Sequence, residues 1–138
     1  MLLPMHREPA VPQPDPVVVI DDDVAVRNSL QFSLEVEGYA VRAYEGAGKL
    51  LEKADLPRCG CLIIDYNLSD TDGLTALGKL RDRGVRAPAI LITTNPSPAL
   101  RARAAAANVP IVEKPLLGNT LLEAVHEAIV GSAGASRA

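Results

Sequence analysis

The chain has 138 residues, 48% of them hydrophobic but only 3% aromatic, so a single domain with an aliphatic core and modest tails is expected. Net charge is −3, and no basic cluster is longer than the loose Arg81–Arg83 and Arg101–Arg103 groups, which argues against direct nucleic-acid binding. No apolar run approaches the roughly 20 residues of a membrane span, and the first residues lack the ordering of a signal peptide; the expected location is cytoplasmic, with no membrane partner.

Residues 1–16 are Pro-rich, with Pro4, Pro9, Pro12, Pro14 and Pro16, and read as an extended or disordered lead-in. The fold begins at Val17–Ile20, an apolar run too short for a helix, which is how a strand buried on both faces reads. It ends in Asp21, Asp22 and Asp23. Val26, Leu30 and Leu34 then recur every four residues, flanked by Phe32 and Val36, and Gly38 stops that helix. Residues 39–44 alternate, as a strand near a sheet edge does. Residues 46–55 give a short helix ended by Pro57.

Cys59 and Cys61, separated by one Gly, fit neither an ordinary disulfide nor a redox or zinc motif, and read as reduced thiols. Cys61–Ile64 is the central buried strand and delivers Asp65 where the strand leaves the sheet. Leu74, Leu77 and Leu80 give a helix over 72–83, closed by Gly84. Residues 88–94 form another buried strand. The Ala-rich stretch 98–107 is a helix by propensity that carries little bulk, so it should pack weakly. Residues 109–112 give the fifth strand, and Asn119 is placed to cap a helix over 120–130 with Leu121, Val125 and Ile129 inward. Residues 131–138 read as a flexible tail.

Five strands alternating with five helices, β first, predict one doubly wound parallel α/β sheet over residues 17–130. In such sheets ligands bind beyond the carboxyl ends of the strands. Asp21, Asp22, Asp65, Thr93 and Lys114 all fall at such ends. Neighbouring strands lie about 4.8 Å apart, so the five groups can converge. Three carboxylates that close repel one another unless a cation sits among them, and an all-oxygen cluster suits Mg²⁺. A hydroxyl and an ammonium beside the acids are what a phosphoryl group needs for its remaining oxygens. The chemistry suggested is phosphoryl transfer onto a carboxylate.

At these residues the chain resembles the receiver domains of two-component response regulators. The matching motifs are Val17 to Asp23, Ile63 to Asp65 with Gly73 eight residues on, Ile92–Thr93, and Glu113 to Pro115. The resemblance implies a flavodoxin-like sheet of strand order 2-1-3-4-5 and a phosphoacceptor, Asp65, that receives its phosphoryl group from a histidine kinase or phosphotransfer protein. It further implies Asp22 as direct Mg²⁺ ligand, Asp21 as water-mediated ligand, and Asp65 and the Asn67 backbone carbonyl as further ligands. Thr93 and Lys114 become the phosphate-binding groups, Thr93 and Ile111 the switch, and Thr94 and Asn95 modulating positions. The Lys114–Pro115 bond is implied to be cis.

The sequence departs from the family pattern at several points. Ser69 stands where Pro is usual and Leu68 where Met is common. Thr94 replaces a small residue, Ile111 replaces the switch aromatic, and the Thr93–Lys114 interval is one residue short. No effector domain is read after the last helix, so output is expected through contact with a downstream protein or by passing the phosphoryl group to another histidine, with a homodimer left open. A turnover enzyme is not expected. Two other readings were weighed: a phosphorylation-independent, pseudo-receiver interaction module, and a small Mg²⁺-dependent phosphatase.

Other echoes fail on their spacing. Gly46–Lys49 resembles a phosphate loop, but Ala43 stands where that motif needs Gly and Leu50 where it needs Ser or Thr. The stretch from Asp65 has Asp70 and Ala76 where an EF-hand needs Gly and Glu. Asp70 and Asp72 echo the acid pair of haloacid-dehalogenase-like phosphatases, but no strand ends directly before Asp70. His6 and His126 are isolated and are not catalytic candidates.

Overall fold

The computed structural model describes residues 14–116 and 118–137. Most of the Pro-rich lead-in, residues 1–13, therefore lies outside the described residues, as does Ala138. Ten elements follow in strict alternation: β1 (Val17–Ile20), α1 (Val24–Val36), β2 (Val41–Tyr44), α2 (Ala47–Leu51), β3 (Cys61–Asp65), α3 (Gly73–Asp82), β4 (Ala89–Thr93), α4 (Pro98–Ala106), β5 (Ile111–Glu113) and α5 (Thr120–Arg137). The strands form one parallel sheet in the order β2-β1-β3-β4-β5. This is the flavodoxin-like order expected.

The apolar runs become central strands because side chains that alternate across a sheet must both find cover. Val18, Ile20, Leu62, Ile64, Ala89 and Leu91 share one cluster with the inner faces of α2, α3 and α4. Val17, Val19, Cys61, Ile63, Ile90 and Ile92 share the other with α1 and α5. On α1, Leu30 and Leu34 are buried as the four-residue period requires, whereas the flanking Phe32 and Val36 are 70% and 65% exposed. On α5, Leu121 and Val125 are buried and Ile129 packs beside them.

Helix ends follow local chemistry. The Asp23 carboxylate accepts from the amides of Ala25 and Val26 and starts α1. Asp72 accepts from the Thr75 amide and hydroxyl and starts α3, and Ser97 followed by Pro98 starts α4. Gly38 and Gly84, at φ of 99° and 92°, close α1 and α3 in the left-handed conformation that side chains disfavour.

Three extents differ from the sequence expectation. Helix α2 stops at Leu51, not near Asp55, and the Arg83 guanidinium, from beyond α3, donates to the carbonyls of Leu51, Lys53 and Ala54 that follow. Strand β5 begins at Ile111, because Val109 is buried before the ladder starts and Pro110 has no N–H to give it. Helix α5 continues past Val130 to Arg137, where small residues had read as a tail; alanines in that stretch favour helix.

Candidate functional site

The acidic patch lies where β1 and β3, side by side in the sheet, both run out. Their register pairs Ile20 with Ile64, so the next residues, Asp21 and Asp65, emerge at the same level. Asp22 completes the group, and one carboxylate oxygen from each of the three lies within 4.8 Å of the others. Asp21 and Asp65 are buried and Asp22 is exposed, so the cluster has two walls and an open side. Asp23 is not part of it, being committed to the start of α1.

Lys114 reaches the same patch from just beyond β5. Its Nζ lies 3.4 Å from Asp65 Oδ1 and 3.7 Å from Asp21 Oδ2. The Lys114 amide donates to the Thr93 carbonyl at 2.8 Å, which fixes the ammonium relative to the end of β4. The Lys114–Pro115 bond is cis. Thr93 ends β4 and is buried. Thr94 and Asn95 are exposed beyond it, Asn95 with a φ of 51°. Asn67 is exposed, and its amide makes a long, 3.4 Å hydrogen bond to Asp65 Oδ1. Ile111 is half-buried at the start of β5 and packs on the α2–α4 side of the sheet.

The electrostatics are those of an incompletely neutralised acid pocket. Burial pushes the Asp65 carboxyl above its ordinary value; Lys114 and the Asn67 amide pull it down without cancelling the rise. Burial also raises Asp21, with the Asp65 and Asp22 charges adding to it against the Asp23 amide and Lys114. Asp21 Oδ1 accepts from the Asp23 amide at 2.9 Å, while the buried Oδ2 has no hydrogen-bond partner. An orphaned buried carboxylate oxygen beside two further carboxylates is a donor set that fits a hard divalent cation.

Other polar groups singled out in the sequence stand apart from the patch. Asp70, on the loop between β3 and α3, accepts from the Gly48 amide at 2.9 Å, so the glycine pair that echoed a phosphate loop is already engaged by a carboxylate. Burial pushes the thiols of Cys59 and Cys61 up to about 11 and about 12, consistent with inert packing groups. His126 is exposed on α5. Arg103 was not singled out by the sequence: its guanidinium donates to the Tyr66 hydroxyl at 3.4 Å and lies 3.7 Å from Asp72 Oδ1.

A doubly wound parallel sheet with an acid cluster and a lysine at its carboxyl edge is the arrangement of an α/β domain whose strand ends can hold a cation and a phosphoryl group. Residues 17–126 match the response regulator receiver domain family, and the chain belongs to it. It is 33% identical over 113 residues to the transcriptional regulatory protein FixJ of Rhizobium meliloti strain 1021, covering 81% of this chain and 55% of that protein. It is 31% identical over 121 residues to the C4-dicarboxylate transport transcriptional regulatory protein DctR of Rhodobacter capsulatus, covering 86% of this chain and 61% of that one. The chain thus spans a little over half the length of these relatives. Among solved structures, a CheY-like receiver domain protein from Methanospirillum hungatei superposes with a TM-score of 0.80 at 25% identity, covering 88% of this chain and 98% of that one. Among the described residues no helix is long and apolar enough to cross a membrane.

Proposed function

We propose that this domain accepts a phosphoryl group on Asp65 from a phosphohistidine of a kinase or phosphotransfer protein, and signals by protein–protein contact. The observation that carries this reading is the setting of one carboxylate, Asp65, between an ammonium 3.4 Å away and two further acids. In the transfer, an Asp65 oxygen attacks phosphorus and an acyl phosphate forms. The P–N bond breaks with its electron pair leaving on the donor imidazole. Lys114 holds one phosphoryl oxygen, and the Thr93 hydroxyl serves a second. Asp21, Asp22, Asp65 and the Asn67 carbonyl are the residues that would hold Mg²⁺. When bound, Mg²⁺ offsets the charge of the acids and of the incoming phosphoryl oxygens. Thr94 and Asn95, exposed next to Thr93, modulate access to the acyl phosphate.

Incubation with acetyl phosphate and Mg²⁺, followed by intact-mass measurement, should add one phosphoryl group, and excess chelator should prevent it. A mass that stays unchanged with Mg²⁺ present would favour a phosphorylation-independent interaction module instead. Steady turnover of a phosphomonoester would favour the phosphatase reading.

The aspartates should separate cleanly. Asp22→Ala is expected to weaken Mg²⁺ binding by about tenfold or more, the scale of one lost carboxylate–cation contact. Asp23→Ala should leave Mg²⁺ affinity within about twofold and instead cost about 1 kcal/mol as a lost helix cap. Magnesium titration by calorimetry and urea unfolding decide the two. Equal losses of affinity would remove the distinction.

A further inference from the structure

Ile111, half-buried at the start of β5, is apolar and β-branched, so it offers no polar group through which a change at Asp65 could be passed on. Helix α4 buries only Leu100 and Ala104. A cleft of about 450 Å³, lined by Leu74, Leu77, Gly78, Arg81, Arg103 and Ala107 among others, separates it from α3. Apolar packing therefore does not weld α4 to its neighbour. Polar contacts span the gap instead, and they converge on one guanidinium.

Arg103 touches both ends of the loop that follows the phosphoacceptor. One nitrogen donates to the hydroxyl of Tyr66, the residue directly after Asp65. The other faces Asp72, whose carboxylate starts α3. Both ends are anchored: the Tyr66 amide donates to the Ile92 carbonyl at 2.9 Å, the Tyr66 carbonyl accepts from the Gly73 amide at 2.8 Å, and Asn67 bridges Asp72. The Tyr66 side chain packs against the α2–α4 side of the core, so it works as a lever with its foot beside Asp65 and its tip on α4.

We infer that Arg103 is a positioning residue for signal output: it clamps α4 to Tyr66 and Asp72, so that α4 follows the loop after Asp65. This rests on the phosphoacceptor reading above. At 3.4 and 3.7 Å the two contacts are longer than the 2.7–2.9 Å of a tight charged pair. A reorientation of the Tyr66 or Asp72 side chain by a fraction of an ångström therefore changes them without moving the anchored backbone. The exposed pair contributes little to overall stability.

The test is hydrogen exchange of the full chain with and without beryllofluoride and Mg²⁺, in the parent protein, Arg103→Gln and Tyr66→Phe. In the parent, the phosphoryl mimic should change exchange across residues 94–107 by about fivefold or more, the low end of ordinary coupling between sites. Arg103→Gln should reduce that change to less than about twofold while acetyl phosphate labelling stays intact. Tyr66→Phe should reproduce part of the loss, and the double variant should be no worse than Arg103→Gln alone, because both remove one interaction. Arg103→Lys should rescue the change only in part, since a freely rotating ammonium lacks the planar fork that fixes Tyr66 and Asp72 relative to α4.

A merely structural ion pair would shift exchange equally with and without the mimic, leaving the difference unchanged. That outcome overturns the clamp, as does a parent protein that binds the mimic without any change in α4. A parent that neither labels nor binds the mimic overturns the phosphoacceptor reading itself, and the clamp with it.

Discussion

Asp65→Asn is expected to remove all labelling by acetyl phosphate and to leave a metal-free protein more stable than its parent. The first effect follows from chemistry: an amide oxygen is a poor nucleophile toward phosphorus, and no other described carboxylate has Lys114 as close. The second follows from burial. Asp65 is 4% exposed, and its carboxyl is held above its ordinary value because the charged form is poorly solvated there. A neutral amide of the same shape relieves that cost, by about 1–3 kcal/mol for an incompletely paired buried group. Thermal or urea unfolding in chelator measures it. The linkage has a definite sign. A carboxyl raised in the folded state binds its proton there more readily than in the unfolded chain. Metal-free stability therefore rises as pH falls through the raised folded value toward the ordinary carboxylate range. In Asp65→Asn that rise should shrink, leaving the part due to Asp21. A variant that labels fully, or one less stable in chelator, contradicts the assignment.

The site was legible in the sequence to the extent that its members end strands. Val17–Ile20, Cys61–Ile64 and Ala89–Ile92 are continuous apolar runs because both faces of a central parallel strand are covered. The polar residue that ends each run marks the sheet edge by position alone. Lys114 was legible for the same reason. What escaped depended on contacts between distant residues. The short extent of α2 goes with Arg83, roughly 30 positions away, bonding the carbonyls that follow it. The engagement of the Gly48 amide by Asp70 and the reach of Arg103 to Tyr66 are likewise long-range and leave no periodic signal. The start of β5 was misplaced by two residues because Val109 is buried without belonging to the ladder.

Gly73→Ala is expected to be among the most damaging single substitutions in the domain, although it adds one methyl group. Gly73 is the first residue of α3 and is buried against the end of β3. A Cβ there would lie 2.6 Å from the Asp65 carbonyl oxygen, 2.9 Å from Leu91 Cδ1 and 3.0 Å from Tyr66 Cα. Two of these neighbours are backbone atoms held in place, since the Tyr66 amide and carbonyl are both hydrogen-bonded. They cannot yield as the end of a flexible side chain would. Relief must come from moving the start of α3 away from β3, which disturbs the loop carrying Asn67 and the position of Asp65. The expected cost is about 1–3 kcal/mol or more, the range for overpacking a tight interior, with slower labelling of Asp65. Gly78→Ala on the same helix is the control. Nothing lies within 4 Å of a Cβ at that position, which is exposed in mid-helix. Relief of the glycine's backbone entropy there should gain about 0.5–1 kcal/mol. Urea unfolding of the two variants should therefore move in opposite directions from the parent. A Gly73→Ala protein as stable as the parent, and labelled as fast, would mean that α3 can withdraw from β3 without cost.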